Sequence, residues 1–348
     1  MSTNWQHKQV ETSKGLVQQG SQALRQGDFA TANAALAEAA AILDMAEEET
    51  IEVLQLRAQL LNETGFILQR SDQIDLAIEN HEKAAALCND LMERGVEFRG
   101  NSAATHINLA GLLAGKGDFD AAKEANRRAI ELAESLIAQG NDPAHAQNLA
   151  FGAQQNFAVI AGRAGDWDQA ETAMLRSMEL VETLGANPQN RGLHAQAAQG
   201  CQQLSVLYFH AAQYDEALEW GRRAEKLSER AYNDLGEPAL PIYVTSQINL
   251  ISYYEKAGAF ADAVECLFKA FEVVGNHPQN LIRGKAFYEE CRKQADNRLE
   301  AGDLPRDEVE DGYREILNRI EEIGGVDEVM AQARAAMEGA QPDGDEQG

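Results

Sequence analysis

The stretch GDFDAAKEANRRAIEL, residues 117–132, decides the fold, because five others repeat its spacing. They are GDFATANAALAEAAAI from Gly27, DQIDLAIENHEKAAAL from Asp72, GDWDQAETAMLRSMEL from Gly165, AQYDEALEWGRRAEKL from Ala212 and GAFADAVECLFKAFEV from Gly258. Successive starts lie 45, 45, 48, 47 and 46 residues apart. A fixed period of this size is the mark of a solenoid, which grows by adding units and not by enlarging one core.

The positions that recur are those helix packing requires. The sixth is alanine in every copy: Ala32, Ala77, Ala122, Ala170, Ala217 and Ala263. The thirteenth is Ala39, Ala84, Ala129, Ser177, Ala224 or Ala270. Seven residues make two helical turns, so both small side chains share one stripe and let a neighbouring helix approach closely. The sixteenth residue, Ile42, Leu87, Leu132, Leu180, Leu227 or Val273, completes the stripe. The third, Phe29, Ile74, Phe119, Trp167, Tyr214 or Phe260, is expected to be an apolar plug just before the helix. Each stretch therefore reads as the second helix of a helical hairpin.

First helices precede them, as in THINLAGLLAGK from Thr105 and QINLISYYEKA from Gln247, with apolar residues at three- and four-residue spacing. Gly27, Gly117, Gly165 and Gly258 mark the turns inside hairpins. Gly95, Gly140, Gly185, Gly236 and Gly275 mark the ends of second helices, where a left-handed cap favours glycine. Prolines such as Pro143, Pro188, Pro241 and Pro278 follow those ends.

This alanine spacing with an aromatic at the turn resembles the tetratricopeptide repeat, in a long unit of about 46 residues instead of 34. Asn108-Leu109-Ala110 and Arg127-Arg128-Ala129 resemble the kinesin light chain type, whereas Gln18 and Glu63 stand where that pattern has Asn. The resemblance implies an all-α, right-handed superhelical solenoid with a C-terminal helical cap. The expected divisions are an N-terminal extension (1–14), six repeats (15–280), capping helices (281–323) and an acidic, largely disordered tail (324–348). The capping helices are expected over 281–301 and 305–323, with Pro305 in the first helical position and a short helix after Gly324.

Composition narrows the function. With 56 acidic and 30 basic residues the formal charge is −26, which opposes binding to nucleic acid or to an anionic membrane surface. Cys88, Cys201, Cys266 and Cys291 form no CxxC pair and read as small packing residues of a reducing cytoplasm. Residues 1–13 lack the apolar core of a signal peptide, and no run of 18 apolar residues occurs. The expectation is a soluble, cytoplasmic monomer. No HExxH, GxxxxGK[ST], GxSxG or GxGxxG occurs, and the seven histidines are scattered. The chain is accordingly expected to have no catalytic residues, no metal and no cofactor.

Two columns of residues are candidates for binding. The twelfth position is basic in five repeats: Lys83, Arg128, Arg176, Arg223 and Lys269. Such a stripe could meet an acidic partner, or be a solvated helix face complementing the macrodipole. Nine residues before each second-helix stretch stand Asn108, Asn156, Gln203 and Asn249. Carboxamides there, each with donor and acceptor, could hold a peptide backbone on the concave side, or bridge helices inside the stack. The resemblance implies a protein partner, and specifically bacterial tubulin filaments that the chain would bind, stabilise or bridge, with a cytoskeletal location. A peptide-binding regulatory receptor and a multiprotein scaffold without a cytoskeletal partner remain the alternatives.

Overall fold

The computed structural model describes residues 3–140, 143–184, 190 and 192–338. Among them it contains helices and no strand. Helices α1 (Thr3–Gln26) and α2 (Phe29–Asp44) form the first hairpin, α3 (Ile51–Arg70) and α4 (Ile74–Glu93) the second. The third is α5 (Arg99–Gly115) with α6 (Phe119–Gln139), and the fourth α7 (Pro143–Ala164) with α8 (Trp167–Leu184). Helices α9 (Leu193–His210) and α10 (Tyr214–Leu235) make the fifth, α11 (Leu240–Ala257) and α12 (Phe260–Val274) the sixth. The chain ends in α13 (Pro278–Lys293), α14 (Asp296–Ala301), α15 (Arg306–Glu322) and α16 (Val326–Glu338). Two compact units result, Met1–Leu184 with four hairpins and Gly185–Gly348 with two hairpins and the closing helices.

Every second helix begins on the third residue of its repeated stretch. All six alanines at position six have no exposed surface, nor do the five alanines and Ser177 at position thirteen. Ala122, for instance, packs in one cluster with Ala110 and Ala114 of α5 and Ile160 of α7, so one small residue serves a three-helix junction. The aliphatic residue at position sixteen is buried in the middle copies (Leu132, Leu180, Leu227) and half-buried as Ile42, Leu87 and Val273.

The turn inside each hairpin is the same structure six times. Its first residue is left-handed: Gly27, Asp72, Gly117, Gly165, Ala212 and Gly258 all have φ between 57° and 85°. The next amide closes back on the first helix over five residues, from Asp28 to Ala23 (2.9 Å) through Gln213 to Tyr208 (3.0 Å) and Ala259 to Tyr254 (2.9 Å). This is the Schellman arrangement, which satisfies carbonyls the helix end would orphan. Asp28 and Asp118 then cap the second helix through Oδ1 to the amides of Thr31 (3.0 Å) and Ala121 (3.1 Å). The junctions between hairpins have no such constancy. Six residues separate α2 from α3, but three separate α12 from α13.

Ala212 is the residue least suited to its turn, since a Cβ at φ 59° is strained by about 1–2 kcal/mol. Part of that gain is lost to the freer unfolded chain of glycine, so Ala212→Gly is expected to stabilise by about 0.5–1 kcal/mol in urea denaturation. Asp72→Gly should gain less, because Asp tolerates this region better.

Several expectations need correction. The aromatic at position three is no buried plug, with Phe29 and Tyr214 each 37% exposed. It is the first residue of the second helix and lies off the alanine stripe. Arginine guanidinia cover it instead: Arg70 lies 5.9 Å from the Phe29 ring centroid and Arg163 5.7 Å from that of Phe119. Only Phe260 is fully buried, at 1%, beneath Gly302. The helix expected over 281–301 is broken at Gln294–Ala295, both extended. Arg306 holds the break, donating to the carbonyls of Arg292 (3.0 Å) and Gln294 and pairing with Asp296 at 2.8 Å. Pro305 caps α15 and is not its first residue. Residues 3–14, expected to precede the repeats, belong to α1, whereas α16 stands where a short helix is expected after Gly324. The acidic residues 341–348, with Gly185 and Pro188, lie outside the described residues.

Candidate functional site

Within each unit the first helices of successive hairpins touch: α1 with α3, α3 with α5, α5 with α7, and α9 with α11, α11 with α13. The second helices of successive hairpins touch weakly at most. The first helices therefore form the tighter, inner side of each unit, and their outward stripe is the face a ligand would meet.

That stripe has an unusual chemistry. Helices α5, α7, α9 and α11 together contain one carboxylate, Glu255, while α10 alone has Asp215, Glu216, Glu219, Glu225, Glu229 and Asp234. Within the hairpins the acidic residues are concentrated on the second helices. On the inner side of the first unit stand half-buried or exposed Gln18, Gln55, Asn101, Asn148 and Gln155. In the second unit, exposed Gln196, Gln199 and Gln203 line up on α9 at three- and four-residue spacing. Counting charges helix by helix would have found this segregation; the whole-chain charge concealed it.

A cleft of about 310 Å³ opens on this face between α1, α3 and α5. Leu56 and Phe98 form its apolar floor, and Lys14, Gln18, Glu52, Gln55, Gln59 and Asn101 its rim. Beside it Glu63 accepts hydrogen bonds from Ser21 and from Gln59 Nε2 (3.0 Å), so the residue replacing Asn in this repeat is tied into the stack.

The four carboxamides read from the sequence differ in their surroundings. Asn108 is half-buried, its Nδ2 3.4 Å from Asn62 Oδ1. Asn156 is half-buried and donates through Nδ2 to the Ile107 carbonyl (3.2 Å) and to Asn126 Oδ1 (2.9 Å). Gln203 is exposed, while its neighbour Gln202 turns inward to the Ile242 carbonyl and Ser246, both at 2.7 Å. Asn249 is half-buried next to fully buried Leu250. The other three precede buried Leu109, Phe157 and Leu204 in the same way.

Each member of the basic column is paired with a carboxylate of its own helix, and Lys269 also with Glu225 of α10. Lys83 meets Glu79 (2.7 Å), Arg128 Glu131 (3.0 Å), Arg176 Glu179 (2.6 Å), and Arg223 Glu219. Lys269 bonds Glu265 (3.0 Å) and Glu225 (3.2 Å); burial opposes its charge, but these bonds outweigh it and hold its pKa up. Exposed pairs of this kind contribute little stability.

Sequence reasoning overlooked the residues beneath the carboxamides. His81 has no exposed surface, and its Nδ1 lies 2.9 Å from Asn62 Oδ1. Asn126 is equally buried and donates to the Ala153 carbonyl at 2.6 Å. Burial lowers the His81 pKa to about 4. A histidine held neutral in the fold adds stability that is complete above its unfolded value of 6.5 and is lost as pH falls toward 4. The protein should lose about 2 kcal/mol between pH 7 and pH 5 relative to His81→Leu, read from paired urea titrations. A pH-independent difference would show that His81 is not buried as described.

Burial raises the thiol pKa of Cys88 to about 11 and those of Cys201, Cys266 and Cys291 to about 12, which makes them unreactive. Among the described residues no cluster of three His, Cys, Asp or Glu could hold a metal ion. None of the described helices is long and apolar enough to cross a membrane.

A model of a family of unknown function (DUF6483) matches residues 162–321, less than half of the chain. No curated protein matches in sequence. Among solved structures, the apo form of RapI is similar at 14% identity and a TM-score of 0.52, covering 89% of this chain and 99% of its own. BtubC (BKLC) from P. vanneervenii is similar at 18% identity and 0.51, covering 77% and 90%. Aspartyl phosphate phosphatase F from Bacillus subtilis is similar at 13% identity and 0.51, covering 99% and 96%. These likenesses concern the fold. The chain is an all-α solenoid of tetratricopeptide-like hairpins, as its repeats imply.

Proposed function

We propose that this protein is a non-catalytic interaction scaffold that holds an extended segment of a partner protein along the first helices. The segregation of charge carries this reading. A stripe rich in carboxamides, and from α5 to α11 nearly free of charged groups, offers paired donors and acceptors to a peptide backbone, while the acidic second helices keep the molecule soluble. Asn108, Asn156, Gln203 and Asn249 belong to this stripe, and the basic column Lys83, Arg128, Arg176, Arg223 and Lys269 serves the second helices.

Selection of twelve-residue peptides from a random display library on the full chain tests the reading. Binders are expected whose affinity changes less than about twofold between about 50 and about 500 mM salt, because no ion pair is screened. Changing Asn108, Asn156 and Asn249 together to Ala should weaken binding about tenfold or more at unchanged helicity. Peptides that bind the triple variant equally well would place the site elsewhere.

The second reading is a tubulin-lattice scaffold. It is favoured by Asn108-Leu109-Ala110, by Arg127-Arg128-Ala129 and by the likeness in fold to BtubC. Co-sedimentation with polymerised bacterial tubulin should then saturate at a fixed ratio. No pelleting at low or moderate salt would discard a filament partner and leave the peptide-receiving scaffold.

A further inference from the structure

Position ten of the repeated stretch faces the first helix and is occupied in turn by Leu36, His81, Asn126, Met174, Gly221 and Leu267. All six are buried, and four need no hydrogen-bond partner there. The fold therefore accepts apolar residues at this place, yet repeats two and three bury polar ones. Each of these two bonds a carboxamide of the inner face: His81 meets Asn62, and Asn126 meets Asn156.

The hydrogens can be assigned. Asn62 Oδ1 can only accept, so His81 carries its proton on Nδ1, and Nε2 is left bare against Gly65. Asn62 Oδ1 also faces Asn108 Nδ2, which leaves the two Asn62 N–H groups for a ligand. Asn156 is the reverse: both its N–H groups are engaged, by the Ile107 carbonyl and by Asn126, so only its oxygen remains. Asn126 is held in that orientation by donating to Ala153.

We propose that His81 and Asn126 are positioning residues that give the inner face of the first unit a polarity. Asn62 presents donors, Asn156 presents an acceptor, and an extended uncharged peptide binds in one direction only. This rests on the reading of the inner face as a peptide site. A backbone carbonyl of the ligand lies at Asn62 and a backbone N–H at Asn156, with Asn108 able to serve either. Buried polar pairs of this kind add specificity more than stability.

The test uses a display-selected peptide and its retro-sequence, with the same residues in reverse order. The retro-peptide should bind the native chain at least about tenfold more weakly, the loss of one or two hydrogen bonds. His81→Leu and Asn126→Met place there the residues that other repeats carry. They should leave the melting temperature unchanged or raised, weaken the forward peptide about tenfold, and narrow its advantage over the retro-peptide. His81→Asn keeps a donor in place of Nδ1 and should restore the preference. Equal binding of the two peptides to the native chain would overturn the polarity. So would unchanged affinity in both variants, while the peptide site itself would stand as long as the triple Asn variant fails to bind. Absence of any selected peptide would remove both the site and its polarity.

Discussion

Gly302→Ala is expected to cost about 3 kcal/mol or more and to strip the closing helices from the sixth hairpin. A Cβ on Gly302 would stand 2.2 Å from the Gly258 carbonyl oxygen and 2.6 Å from Phe260 Cδ2. The first contact is with backbone, so no rotamer change relieves it. The segment must move away, which breaks the bond from the Ala261 amide to the Gly302 carbonyl (3.0 Å) and uncovers the one position-three aromatic that is fully buried. Chemical denaturation should show an earlier transition, and hydrogen exchange should rise in α14 and at the start of α12. Gly95→Ala, where no atom lies within 4 Å but φ is 80°, is the control: it should cost only the strain of its turn, about 1–2 kcal/mol. A fully stable Gly302→Ala variant would mean that α14 does not rest on the turn at Gly258.

The second large effect is at Ala122. Leucine adds three carbons where Ala110, Ala114 and Ile160 already close around a residue without exposed surface. Overpacking there should cost about 3 kcal/mol, which for a unit of this size lowers the melting temperature by roughly 6–12 °C. Thermal unfolding followed by circular dichroism measures it. An unchanged transition would displace the alanine stripe from the contact between α5, α6 and α7.

The repeat was legible because its two constraints act through single residue types. A three-helix junction excludes anything larger than alanine or serine, and a left-handed turn selects glycine. Both leave a mark at a fixed spacing that survives when the rest of the repeat drifts. Position three was misread because an aromatic at a helix start looks the same in sequence whether a neighbour covers it, as Gly302 covers Phe260, or an arginine merely lies over it, as Arg70 over Phe29. The break at Gln294–Ala295 was hidden for a related reason: a partner twelve residues away in the chain, Arg306, holds it. The carboxamide column was visible, but what each amide has left for a ligand depends on buried neighbours. Gln202 and Gln203 stand side by side in the sequence, one sealed in and one exposed. His81 and Asn126 could have been noticed as polar letters at an otherwise apolar position of the repeat.

The hairpin turns and the junctions between hairpins obey different rules, and the difference bears on how such a molecule can change over time. Each turn closes on itself through bonds spanning a few residues, so its length is frozen. The junctions share no common closure, although the one after α4 ends in the same way, Val96 to Leu91 (3.0 Å), and they span anything from three to eight residues. One rim of each unit is thus conservative and the other permissive. Added segments, whether acquired by descent or grafted by an engineer, belong on the permissive rim, where a new loop can reach a second partner without disturbing the register of the helices behind it.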